Sequence, residues 1–161
     1  MHTDRLDLLP LGVEHAHEMA VVLSDPALHA FIGGEPLAPD ALRARYGRLV
    51  AGSPDPSVSW CNWVLRARRE VQLVGTVQAT ITARGAAEIA WVVGTPWQGR
   101  GYASEAARGL VEWLRDHPVH TIVAHIHPAH TASATVAAAV GLSPTDEVHD
   151  GEQRWRLRLH P

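Results

Sequence analysis

Glu88-Ile89-Ala90-Trp91-Val92-Val93-Gly94-Thr95-Pro96-Trp97-Gln98-Gly99-Arg100-Gly101-Tyr102-Ala103-Ser104 is the stretch on which the fold turns. It passes from a β-branched and aromatic strand pattern, through a short loop with two glycines, into the start of a helix. That helix is expected over Tyr102–His117, with Ala103, Ala107, Leu110, Val111 and Leu114 on one face. The junction has the chemistry of an anion cradle. Gly99 and Gly101 permit close backbone approach and φ values that other residues avoid. First-turn N–H groups at Tyr102, Ala103 and Ser104 lack intrahelical acceptors and sit at the positive end of the helix dipole. Arg100 adds a formal charge, and a pyrophosphate suits such a site. The loop lacks the Gly-Lys-Ser/Thr ending of a P-loop and does not satisfy Gly-x-Gly-x-x-Gly.

Outward from this junction, the middle of the chain reads as β-rich. Trp60–Arg66, Val71–Thr82 and Ala87–Val93 are strand patterns, the last two joined by a tight turn at Arg84-Gly85. Thr121–His127 is a further strand, and Thr131–Val140 a short alanine-rich helix with Gly141 as its C-cap. A closing hairpin is expected around Asp150-Gly151. On the N-terminal side, Thr3–Leu9 forms a strand ended by Pro10, and Val13–Leu23 a helix. Phe31–Pro39 reads as a loop, Asp40 as the N-cap of a helix reaching about Val50, and Gly52–Ser57 as a flexible loop. The resulting order, β-α-α-β-β-β-α-β-α-β-β, is an α+β layout around one mixed sheet.

Composition narrows the function. The 161 residues suit one domain spanning 1–161, and an apolar fraction of 46 % suffices for one core. With 14 basic against 17 acidic residues and no basic cluster, a nucleic-acid partner is disfavoured. No apolar run approaches the roughly 20 residues of a membrane span, and no signal peptide is evident, so a cytoplasmic protein is expected. The lone Cys61 excludes an intramolecular disulfide and has no activating neighbour in sequence. Trp60 and Trp63 should face opposite sides of their strand, and Trp97 should cover the cradle loop or a ligand in it.

Gln98, Gly101 and Ala103 satisfy Gln-x-x-Gly-x-Ala, which resembles the acyl-CoA signature of the GCN5-related N-acetyltransferase (GNAT) superfamily. Thr3-Asp4-Arg5-Leu6-Asp7-Leu8 resembles the opening of the branch that includes ribosomal-protein N-terminal acetyltransferases. Val74-Gly75-Thr76 is similar to the family's central strand, and His130 through Leu142 to its last helix and strand. The chain departs from the pattern at Leu9, at His130 in place of Asn, and at Leu142 in place of Phe. The resemblance implies a GNAT fold, with a mixed, mostly antiparallel central sheet flanked by helices. Two parallel strands, Ala87–Val93 and Thr121–His127, would splay apart in it.

The implied reaction is direct attack of a primary amine, on a small molecule or a protein N-terminus, on acetyl-CoA as co-substrate, without a metal. The backbone of Trp91, Val92 and Val93 would hold the pantetheine, and Gln98, Gly99, Arg100, Gly101, Tyr102, Ala103 and Ser104 the pyrophosphate. A backbone N–H of that strand would also stabilise the developing oxyanion. Glu88 would be the general base, or else a solvated carboxylate at a strand start. The family's acid, a tyrosine seven residues after its Asn, falls on Ala137, leaving Ser133 as a substitute acid, a CoA contact or a plain helix-turn serine. His130 would touch CoA. Phe31 and Glu35 would face the acceptor, together with the Ser53–Ser57 loop and Asp146-Glu147 of the closing hairpin. The His125, His127 and His130 cluster would line the acceptor side, hold a metal in a rival reading, or consist simply of solvated or structural histidines. A non-catalytic acetyl-CoA sensor is the other rival, and the assembly is expected to be a monomer or homodimer.

Overall fold

The computed structural model describes residues 1–160. In chain order its main elements are β1 (Leu6–Pro10), α1 (Ala16–Val22), α2 (His29–Ile32), α3 (Pro39–Ala51), β2 (Val58–Ala67), β3 (Gln72–Thr82) and β4 (Ala86–Val93). They continue with α4 (Tyr102–Arg115), β5 (Thr121–Ile126), α5 (Thr131–Ala139), β6 (Ser143–His149) and β7 (Glu152–Arg158). The strands form one seven-stranded sheet in the order β1-β2-β3-β4-β5-β7-β6. Every neighbouring pair is antiparallel except β4 and β5. This is the expected mixed α+β sheet.

Strand alternation divides the core into two layers. Trp63, Leu65, Val74 and Val77 bury against Ala106, Leu110 and Leu114 of α4. Val64 and Leu73 face the other way, against Met19 of α1 and Leu42 and Tyr46 of α3. Each large side chain wholly removed from water, such as Leu65, Ile89 or Leu110, contributes about 1.5–3 kcal/mol. Trp63 is buried while Trp60 is exposed, the opposite-face arrangement read from their spacing. Gly85 turns the β3–β4 hairpin at φ +84°. Among the described residues, no helix is long and apolar enough to cross a membrane.

Several local expectations change. The Val13–Leu23 segment opens as a 3-10 turn before α1, with the Gly12 N–H donating to His15 Nδ1 at 2.9 Å. Phe31 and Ile32 are not loop residues but end α2, which follows a turn capped by Asp25 accepting from the Ala27 N–H. A four-residue helix is too short to display a 3.6-residue period. Asp40 is not an N-cap either. Pro39 occupies the first helical position, where its missing N–H is harmless, and Asp40 falls inside the first turn.

What positions a site is the parting of β4 from β5. They pair only at Ala86↔Thr121, Ala87↔Ile122 and Glu88↔Val123. From Ile89 to Val93, β4 stays registered with β3 but, among the described residues, has no strand partner on its β5 side.

Candidate active site

A cavity of about 440 Å³ opens where the two strands part. Glu88 to Val92 and Ala124 to His127 form its walls, and Phe31, Glu35, His130 and Ser133 also line it. Ala87, Ile89 and Val93 are buried against the α4 layer, so Glu88 points to the opposite, open face. Its Oε1 lies 2.9 Å from Nδ1 of His125. His125 stands two residues beyond Val123, the last backbone partner of β4. The pair therefore bridges the fork at its root. Sequence reasoning singled out both residues but not their bond, which joins positions 37 apart.

The unpaired β4 edge at Trp91, Val92 and Val93 is shaped from behind by Gly75. A Cβ at position 75 would stand 2.1 Å from the Val92 carbonyl oxygen and 3.0 Å from Val93 Cα. The Val74-Gly75 motif thus has a steric reason. Tyr46 and Trp91 both line the cavity, and their Oη and Nε1 are buried without a hydrogen-bond partner among the described residues. Burial pushes the Tyr46 phenol up to about 12.

The cradle lies past the end of β4. Gly99 and Gly101 adopt φ +78° and +81°, and Gly101 is the N-cap of α4. Gln98 Nε2 donates to Val93 O at 2.9 Å, so this side chain ties the loop to the strand. Ser104 is partly open, Ala103 packs against the core, and the Tyr102 ring is buried. Arg100 is exposed. Trp97 packs between the two core layers behind the loop. Arg5, unassigned by motif reasoning, holds this region together. Its Nη1 donates to Arg100 O at 2.9 Å, its Nε to Glu105 Oε1 at 2.7 Å, and its guanidinium lies 4.6 Å from the Tyr102 ring centroid. Glu105 also accepts from the Thr3 hydroxyl and the Arg5 N–H. Desolvation alone would raise the Glu105 carboxyl, but these hydrogen bonds outweigh it and hold it below the usual carboxylate range. The Thr-x-Arg opening is therefore an anchor for the first turn of α4.

His130 is the N-cap residue of α5, with Nε2 3.3 Å from Ser133 Oγ. Phe31 stacks on its ring at 4.1 Å and 10°. Burial, and secondarily His127, hold His130 below the usual imidazole range. Glu35 lines the cavity, but the other acceptor-side expectations change. The Ser53–Ser57 loop folds on itself, with Ser57 bonding Asp55, and is not part of the wall. Asp146 and Glu147 are exposed and outside it, and Glu147 pairs with Arg154 at 3.0 Å. From the closing hairpin only Glu152 reaches the wall. Among the described residues, no three His, Cys, Asp or Glu side chains gather as a metal site.

A family model described as an acetyltransferase (GNAT) domain matches residues 5–143. A GNAT-family acetyltransferase from Bacillus anthracis is similar in structure, with a TM-score of 0.79 and 19 % identity over 98 % of this chain and 97 % of that one. RimL, a ribosomal L7/L12 α-N-protein acetyltransferase in complex with coenzyme A, gives 0.81 at 15 % identity, over 98 % and 96 %. An aminoglycoside acetyltransferase in complex with coenzyme A gives 0.77 at 15 % identity, over 95 % and 94 %. No curated protein sequence matches the chain.

Proposed function

The chain belongs to the GNAT acetyltransferase family, and on that footing we propose that it transfers acetyl from acetyl-CoA to a primary amine by direct attack. The observation that carries this reading is one strand, β4, with an unpaired edge in the fork and an anion cradle just past its end. The donor set suits a CoA thioester. Positive-φ glycines and free first-turn N–H groups meet phosphate oxygens, and an open strand edge meets pantetheine amides. Gly99, Arg100, Gly101 and the N–H groups of Tyr102, Ala103 and Ser104 would hold the pyrophosphate, with Gln98 bracing the loop. Trp91, Val92 and Val93 would hold the pantetheine, and a backbone N–H there would stabilise charge developing on the thioester oxygen.

The amine would enter from the cavity between Phe31, Glu35 and the fork, where the Glu88–His125 pair supplies basicity. His130 and Ser133 line the same cavity, where they would meet the thiol end. A second reading, a non-catalytic acetyl-CoA sensor, is favoured by Ala137, wholly buried where the family places its acid. Thiol release from acetyl-CoA, measured against serine-initiated peptides, polyamines and aminoglycosides, separates the two. Amine-dependent release supports the enzyme. Tight acetyl-CoA binding without release on any amine supports the sensor.

A further inference from the structure

The geometry points to His125, not Glu88, as the group that takes the proton from the acceptor amine, with Glu88 as its positioning residue. This rests on the acetyl transfer proposed above. With the carboxylate oxygen as acceptor at 2.9 Å, Nδ1 is the nitrogen that carries the proton in the neutral imidazole. Nε2 is then the ring's lone-pair nitrogen, and His125 lines the cavity. Exposure separates the partners: the Glu88 side chain is 54 % accessible and the His125 side chain 16 %. The carboxylate is largely solvated, whereas the ring is held at the wall. An imidazole also lies about two pKa units nearer neutrality than a carboxylate as a class, closer to the optimum for moving a proton at pH 7.

Charged and titratable groups face His125 from the neighbouring strands and from the cavity. From β7, Arg154 is the register partner of His125, and its Nη1 is engaged by Glu147. From β6, the His149 ring lies 5.8 Å away. His127, His130, His29, Glu35, Arg45 and Glu152 line the same cavity. Among the described residues, Glu88 is the one carboxylate bonded to the ring, and it stabilises the imidazolium that forms. The steps balance. Nε2 takes one proton from the ammonium and returns it to solvent. The amine nitrogen forms a C–N bond as the C–S bond breaks, and its second proton reaches the departing thiolate through water. One proton is released per turnover.

The test compares His125→Gln and Glu88→Gln with the parent enzyme. It measures acetyl-CoA affinity by calorimetry and kcat and KM for the amine from pH 5.5 to 9.5. His125→Gln is expected to keep its acetyl-CoA affinity and amine KM and to lose kcat by about 10²–10³-fold. Its residual rate should simply follow the amine's own ionisation. Glu88→Gln should lose about tenfold and keep the acid-side inflection, displaced to lower pH because the imidazolium has lost its carboxylate. The reverse result, with the inflection abolished in Glu88→Gln and intact in His125→Gln, overturns the proposal, as does an unchanged profile in both. A parent enzyme that binds acetyl-CoA but acetylates no amine overturns instead the acetyl-transfer reading beneath it.

Discussion

Gly75→Ala joins the packing of the sheet to the chemistry of the fork. The added methyl would sit 2.1 Å from Val92 O, 3.1 Å from Val92 C and 3.0 Å from Val93 Cα. A carbon–oxygen contact settles near 3.3 Å, so the β4 backbone must retreat by about 1.2 Å. It is not free to do so. The Gly94 N–H is bonded to Val74 O at 2.8 Å, Gln98 holds Val93 O, and Val74 and Val93 are both buried. Overpacking of this kind costs about 2 kcal/mol, which for a domain of this size lowers Tm by roughly 4–8 °C. A displacement near 1 Å at a reacting geometry also costs about 10²-fold in rate, so kcat/KM for acetyl-CoA should fall by that order. Thermal unfolding and thiol release read the two effects. Gly47→Ala is the control: its Cβ would meet only Val13 Cγ1 at 3.9 Å, and it should hold or raise Tm. A Gly75→Ala protein melting within 1 °C of the parent refutes the steric argument. One that melts early yet keeps its kcat/KM refutes the link to catalysis.

At the cradle, Gly101→Asp forces a side chain onto φ +81° and sets a carboxylate against the phosphates, so acetyl-CoA affinity by calorimetry should fall at least tenfold; an unchanged affinity argues against this binding site. Tyr46→Phe removes a buried hydroxyl that has no partner, so Tm should stay level or rise slightly, and a loss above about 1 kcal/mol would mean the hydroxyl is satisfied in the free protein. Glu105 is held below its unfolded value, so its contribution is complete above the unfolded pKa of about 4.3 and is lost as pH falls through the lower folded value. Glu105→Gln should therefore be less stable than the parent at pH 7 in urea unfolding, and the difference should shrink below pH 4; a gap that does not vary with pH rejects the assignment.

What is legible in the sequence is what is local. The α4 period, the paired glycines before it and the strand alternation around Glu88 lie within a few residues of one another, and the fold follows from them. The parts that stay hidden join distant positions or lack a period. The Arg5–Glu105 anchor spans 100 residues, and the Glu88–His125 bond 37. Histidines, abundant at 11, show why composition misleads here. His15, His117, His120 and His127 each serve a nearby or distant backbone group, at Gly12, Trp113, Arg84 and Ala129 respectively. A histidine that closes a turn and one that faces a substrate look alike until the chain is folded.

The absence of the family tyrosine at position 137 is less damaging to catalysis than the motif suggests. Ala137 is wholly buried with Val136 and Leu142 in the main core, so an aromatic ring there would displace packing instead of reaching the cavity. The reaction also asks unequal things of its acid and its base. A thiolate with a pKa near 8.5 departs with little help at pH 7, whereas an alkyl ammonium near 10.4, and to a lesser degree a chain-terminal one near 8, must be deprotonated before it can attack. Proton removal, not proton delivery, is then the demand that the protein has to meet, and the fork answers it with a bonded imidazole–carboxylate pair. The pH dependence of kcat/KM for the amine should accordingly bend on its acid side with no falling limb up to about pH 9. A rate that declines between pH 7.5 and 9 would demand an acid with a pKa in that range, and would return the search to Ser133 and the α5 wall.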